Sequence, residues 1–112
     1  MPRDDAYILD ILQAARVAVQ LVAGMTYEVF RQDVRTVSAV LWQVAVMGEA
    51  CAKISQGTRA NYPSVPWREI ADMRNRLIHE YMRINLPKVW ETTQHDIPEL
   101  IRLLEPLVPP EE

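Results

Sequence analysis

The sequence predicts an all-α fold, an antiparallel bundle of four or five helices. Apolar residues recur at three- and four-residue steps over long stretches, the period of a helix with one buried face. Aromatic residues are only 7% of the chain and Gly occurs three times, which favours helices over a sheet sandwich. The 112 residues suffice for one domain, 1–112, with a real core and no need of staples.

The first helix is expected over Pro2–Gly24. Ile8, Ile11, Leu12, Ala15, Val19 and Val22 form its apolar stripe. Asp4 or Asp5 suits its first turn and Gly24 its stop. Thr26, Glu28 and Phe30 read as a short linking turn. The longest helix should start near Asp33 and end before Gly57. Its stripe is Val37, Leu41, Val44, Gly48, Cys51 and Ser55, widened by Val34, Val40, Met47 and Ile54. Ala45, Gly48 and Ala52 are small enough for another helix to come close. Being apolar over more than one face, this helix is either central or part of a dimer interface. Gln56–Pro66 reads as a loop, with Gly57, Asn61, Pro63, Ser64 and Pro66 as turn formers. The next helix carries Trp67, Ile70, Ala71, Met73, Leu77 and Ile78 and is expected to end around Tyr81. Asn85–Pro87 marks a break. A last helical stretch runs from about Pro87 to Leu107, kinked or split by Pro98, which has no N–H to donate. The end of the chain, from 107 to 112, should fray.

Formal net charge is −3 and the pI about 5.4, against a protein that coats nucleic acid through bulk charge. The distribution is uneven. Pro66–Trp90 holds five basic residues (Arg68, Arg74, Arg76, Arg83, Lys88) and three acidic ones (Glu69, Asp72, Glu80). That segment is +2 and the remainder −5, so an anion-binding surface is expected there. A single cysteine, Cys51, permits no intrachain disulfide, which suits a reducing compartment. No signal-peptide pattern and no transmembrane-length apolar run appear, so a cytoplasmic protein without membrane association is expected.

The polar run Arg74-Asn75-Arg76-Leu77-Ile78-His79-Glu80-Tyr81 falls where a helical protein should be building its core. Taken plainly, the arginines are solvated helix charges, His79 favours a helix C-terminus and Tyr81 packs its ring. The combination, however, resembles the R-x-x-x-x-H-x-Y signature of the HEPN superfamily in its HepT-like branch. Arg74, His79 and Tyr81 hold the three fixed positions, and Asn75 the polar position after the arginine. The resemblance covers essentially the whole chain and implies a HEPN-like bundle. It further implies a metal-independent endoribonuclease, the toxin of a type VII-like toxin–antitoxin pair. The partner implied is a cognate minimal nucleotidyltransferase, which transfers AMP from ATP onto Tyr81 and silences the toxin. The other function consistent with the resemblance is a non-catalytic HEPN subunit that holds the nucleotidyltransferase or a nucleotide.

The residue types suit the implied chemistry. Metal-free RNA cleavage needs a base for the 2′-hydroxyl proton, an acid for the leaving 5′-oxygen and a cation at the phosphate. Imidazole titrates near neutral pH and serves as base or acid. Guanidinium stays charged and grips two phosphate oxygens. His79 is thus the candidate acid/base, Arg74 the phosphate clamp, and Asn75 a positioning group. Arg76 and Arg83 are candidate RNA-backbone contacts, with a solvated rim as the plain alternative. No metal or cofactor is expected. On a continuous helix, Arg74 and His79 would stand about 140° apart, so arginine's reach or a loosened last turn must close the gap. One chain offers one motif histidine, so a homodimer with a composite site is expected, with room for a larger hetero-oligomer. The substrate implied is tRNA or mRNA. His95 reads as a surface residue, Cys51 as core, and Trp42, Trp67 and Trp90 as core or interface anchors.

Overall fold

The computed structural model describes residues 2–79 and 83–109, with the backbone alone described at Pro2 and His79. It is an all-α bundle. Seven α-helices follow in order among the described residues: α1 Pro2–Val22, α2 Tyr27–Gln32, α3 Val34–Ala52, α4 Gln56–Asn61, α5 Trp67–Leu77, α6 Leu86–Glu91 and α7 Ile97–Leu104. Between α5 and α6 lie two short strands, β1 Ile78–His79 and β2 Arg83–Ile84.

α1, α3 and α5 are laid side by side, with α3 central. Asp4 at the start of α1 binds Ser55 just past the end of α3, so these two helices run antiparallel. Gly48 of α3 faces the backbone of Ile70 and Ala71, and the Cys51 thiol donates to the Trp67 carbonyl at 3.1 Å, so α3 and α5 are antiparallel as well. A Cβ placed on Gly48 would sit 3.2 Å from the Ala71 carbonyl oxygen, closer than an ordinary contact. The small residue expected to admit a neighbouring helix does so. α7 covers the other side of α1.

The buried stripes converge on one core. α1 gives Ile8, Ile11, Leu12, Ala15, Ala18 and Val22, and α3 gives Val37, Val40, Leu41, Val44, Met47 and Cys51. Ile70, Met73 and Leu77 come from α5, and Ile97, Leu100 and Leu104 from α7. Phe30 of α2 is fully buried against the Trp90 ring, centroids 5.2 Å apart. Trp67 and Cys51 are core, as expected. Trp42 is not: it lies 68% exposed on α3. Val34, expected in the long stripe, occupies the first helical position of α3 and stands exposed.

Several boundaries differ from the sequence reading, each for a local reason. Thr26–Phe30 is not a bare turn. Thr26 caps a short helix, its hydroxyl accepting from the Val29 N–H. The long helix stops at Ala52. Ser55 caps α4 within the stretch read as loop, its hydroxyl accepting from the Thr58 N–H. Arg59 folds back to donate to the carbonyls of Cys51 and Ile54, which satisfies the end of α3 with a cation at the negative pole of the helix. The last stretch is one helical run interrupted by a π-helical segment, Thr92–Asp96. The wider turn precedes Pro98, whose missing N–H and ring would otherwise disrupt a regular α-helix. Thr92 and Thr93, buried there, donate to the carbonyls of Lys88 and Trp90. Glu105–Leu107 close the run as a 3-10 turn.

Candidate active site

The motif does not lie on one helix. α5 is held to the core by Trp67, Ile70, Met73 and Leu77, and it stops at Leu77 rather than around Tyr81. Ile78 is already extended (φ −119°, ψ 119°), with its N–H bonded to the Arg74 carbonyl. Ile78 then pairs with Ile84, and His79 with Arg83, in an antiparallel ladder. The Asn85 N–H closes the ladder on the Leu77 carbonyl at 3.0 Å. Asn85 also caps α6, its side-chain oxygen accepting from the Lys88 N–H. Hydrogen bonds thus tie the Ile78–Ile84 end of the strand pair to α5 and lead it into α6.

This removes the angular problem of a continuous helix. Beyond Leu77 the 100° step no longer applies, because the chain leaves the helix axis. The last turn of α5, carrying Arg74 and Asn75, is followed directly by the ladder that carries His79 and Arg83. Arg74 and Arg83 are exposed. Asn75 is exposed too, and its amide donates to the Asp72 carboxylate at 3.1 Å. Lys88, counted only in the charge balance of the sequence, is a further exposed cation, three residues beyond the cap that ends the ladder. Its place at the start of α6 is set by the Asn85 cap, and the Asn-Leu-Pro-Lys order is the signal that points to it.

Arg76 faces elsewhere. Two residues on a helix turn it about 200° from Arg74. Its guanidinium donates to the Glu69 carbonyl at 3.1 Å and lines a groove between α5 and α7 with Glu69, Asp96 and Glu99. Its Nε is buried without a hydrogen-bond partner among the described residues. Arg76 is therefore turned away from the Arg74 face of α5 and shares its groove with carboxylates. Tyr81, the expected acceptor of AMP, lies outside the described residues. His95 is exposed in the π-helical segment. Among the described residues no three His, Cys, Asp or Glu side chains gather as metal ligands, and no helix is long and apolar enough to cross a membrane.

The polar groups of the core are built for structure. The Asp4 carboxylate accepts from the Ser55 N–H, the Ser55 hydroxyl and the Thr58 hydroxyl, at 3.1, 2.6 and 2.6 Å. Those hydroxyls, above all, hold its pKa below the ordinary carboxylate value. Burial pushes the Cys51 thiol up, away from the reactive thiolate.

With this geometry in view, likeness to known proteins decides the family. The family model described as "Ribonuclease HepT-like" matches residues 11–107, which includes α5, both strands and the segment between them. The chain belongs to the HepT-like ribonuclease family. It is 36% identical to "Putative RNase MJ1216" of Methanocaldococcus jannaschii over 110 residues, 96% of this chain and 91% of that one. It is 34% identical to "Putative RNase TTE0752" of Caldanaerobacter subterraneus subsp. tengcongensis, covering 95% of each. A "Probable ribonuclease HepT" of Thermococcus cleftensis is 34% identical over 84% of this chain and 86% of its own. No solved structure matches the chain significantly.

Proposed function

We propose that this HepT-like protein is a metal-independent endoribonuclease toxin, with tRNA as the favoured substrate and mRNA the other. One observation carries the reading: the family match runs through the whole Arg74–Tyr81 segment, in a chain that keeps Arg, His and Tyr at the signature spacing. His79 acts as acid/base. One imidazole withdraws the 2′-hydroxyl proton, the 2′-oxygen attacks the adjacent phosphorus, and the departing 5′-oxygen takes a proton from an imidazolium. The products are a 2′,3′-cyclic phosphate and a 5′-hydroxyl. Acid/base help of this kind contributes roughly 10²–10⁴-fold. Arg74 binds the phosphate oxygens and offsets the charge that builds on them. Asn75 orients one of these two groups, and Arg83 holds the neighbouring RNA backbone. Arg76 serves RNA only at the edge of the site, since it faces the α5–α7 groove.

Two imidazoles in opposite protonation states are met most simply by a two-fold dimer with a composite site. Control comes from a cognate minimal nucleotidyltransferase that places AMP on Tyr81, and the complex of the two is a hetero-oligomer. The added phosphate sets negative charge beside Arg74 and repels RNA. The experiment is mass spectrometry of the Tyr81 peptide from protein made with and without the partner, alongside cleavage of tRNA by each sample. An AMP-sized mass increase with loss of cleavage is expected. A silenced complex with unmodified Tyr81 would remove AMP transfer from the account.

A further inference from the structure

A hollow of about 270 Å³ opens in the groove between α5 and α7. Ile70, Met73 and Leu100, all buried, and Leu103, half-buried, give it an apolar lining. Its charged groups are Arg76, Glu69, Asp96 and Glu99. Arg102 neutralises Glu99, its Nε donating to that carboxylate at 2.9 Å. Glu69 and Asp96 are exposed and form no ion pair among the described residues. Arg76 forms none either. It donates through Nη2 to the Glu69 carbonyl, and its Nε is buried with no acceptor among the described residues. A buried donor left unpaired is costly and calls for a partner. Asp96 enters the hollow from the π-helical segment Thr92–Asp96, and such segments are frequent at functional sites.

We propose that this groove binds a free α-amino acid with an aliphatic side chain. Arg76 takes the α-carboxylate, Glu69 and Asp96 take the α-ammonium, and the aliphatic chain lies on Met73, Leu100 and Leu103. The Nε and Nη2 groups of Arg76 form one edge of the guanidinium, the edge that grips a carboxylate in two parallel bonds. A turn of the side chain brings that edge to the ligand and gives the unpaired Nε its acceptor. Three features select this class of ligand. Uncommitted charges of both signs share one hollow, which suits a zwitterion better than a phosphate or a simple amine. The apolar lining asks for an apolar body beside them. The volume falls just below the range of drug-sized ligands, about 300–1,000 Å³, and so fits a small metabolite. A metal ion is not the occupant these carboxylates are arranged for, since no three ligands gather among the described residues. The site needs only α5, the π-helical segment and α7, so it stands apart from the ribonuclease reading.

The test is isothermal titration calorimetry of the whole chain with leucine, isoleucine, valine and methionine in turn, with helicity of every variant checked by circular dichroism. Saturable binding of at least one is expected, with a Kd of about 1 mM or tighter. Arg76→Gln and Asp96→Asn should each weaken it by about 10-fold or more, and either variant suffices if the other fails to fold. Lys53→Gln, on the far α1–α3 side, should bind as wild type does. For leucine, the analogues 4-methylpentanoate, which lacks the ammonium, and 3-methylbutylamine, which lacks the carboxylate, should bind about 10-fold more weakly or worse. Folded wild type that binds none of the four amino acids at concentrations up to about 20 mM overturns the proposal. Binding unchanged in the folded Arg76 and Asp96 variants overturns the groove as the site. Either analogue binding as tightly as leucine overturns the recognition of a zwitterion.

Discussion

Gly48 sets how closely α5, and with it Arg74 and the ladder, sits on α3. Its substitution gives a graded test of the packing. A Cβ at this position meets the Ala71 carbonyl oxygen at 3.2 Å and the Ile70 carbonyl oxygen at 3.6 Å. Both carbonyls belong to a helix backbone and cannot swing aside as a side chain could. Gly48→Ala needs only a few tenths of an ångström of relief, set against a gain of about 1 kcal/mol in helix propensity. Its net effect should stay within about 1 kcal/mol of zero. Gly48→Leu drives three more carbons into the same gap, so α5 must move as a body, at about 1–3 kcal/mol. For 112 residues, an unfolding entropy near 2.1 cal/mol/K per residue converts each kcal/mol into about 4 °C. Gly48→Leu should therefore lower Tm by about 4–13 °C in a thermal melt followed by circular dichroism, with a matching fall in the urea midpoint. Unlike a cavity mutation, it should displace the hairpin as well. A Gly48→Leu protein melting within about 2 °C of wild type, a shift below 1 kcal/mol, would refute the close approach of α3 and α5.

Other consequences are equally direct. The Asp4 carboxylate, held below its usual pKa by the Ser55 and Thr58 hydroxyls, adds stability that is complete above the unfolded value near about 3.9 and is lost as pH falls through the lower folded value. Asp4→Asn should flatten the acid limb of a Tm-against-pH curve, and an unchanged limb would contradict the clasp. Phe30→Ala, which empties a fully buried site against Trp90, should cost about 3–5 kcal/mol in a urea titration. Cys51, buried with a raised pKa, should resist a thiol reagent in the native protein and react freely in denaturant; rapid native labelling would contradict its burial. Arg83→Gln should reduce the slope of log affinity for single-stranded RNA against log salt by about 0.7, the share of one lost phosphate contact. An unaltered slope would take Arg83 out of the RNA interface.

Much of the fold was legible because its signals are local. Gly24, at φ 79°, ends the first helix region where expected, and Asp33 caps α3, its carboxylate accepting from the Thr36 N–H. Most of the stripes of α1, α3 and α5 fell on the core because burial follows the helical period, with Val34 and Ala71 the exposed exceptions. The end of α5 was not legible. Leu77 and Ile78 continue the apolar pattern, and what stops the helix is pairing of Ile78 and His79 with Ile84 and Arg83, which no three- or four-residue period reports. α4 was hidden because Gly57 and Pro63 outweighed the Ser55 cap. Trp42 shows a further limit: it is large and apolar yet 68% exposed, which its residue type does not report. At the site, the types and spacing of Arg74, Asn75, His79 and Tyr81 were readable, while the groove between α5 and α7 that Arg76 lines is a tertiary arrangement that no local pattern reports.

The most direct test of the ribonuclease reading is cleavage of RNA by purified, partner-free protein in EDTA, compared with His79→Ala. Cleavage is expected in wild type, with 2′,3′-cyclic phosphate and 5′-hydroxyl ends, and should fall by about 10²-fold or more in a variant of unchanged helicity. Equal cleavage by His79→Ala would contradict the role of His79. A folded, dimeric wild type with unmodified Tyr81 that leaves total RNA intact would contradict the ribonuclease account itself.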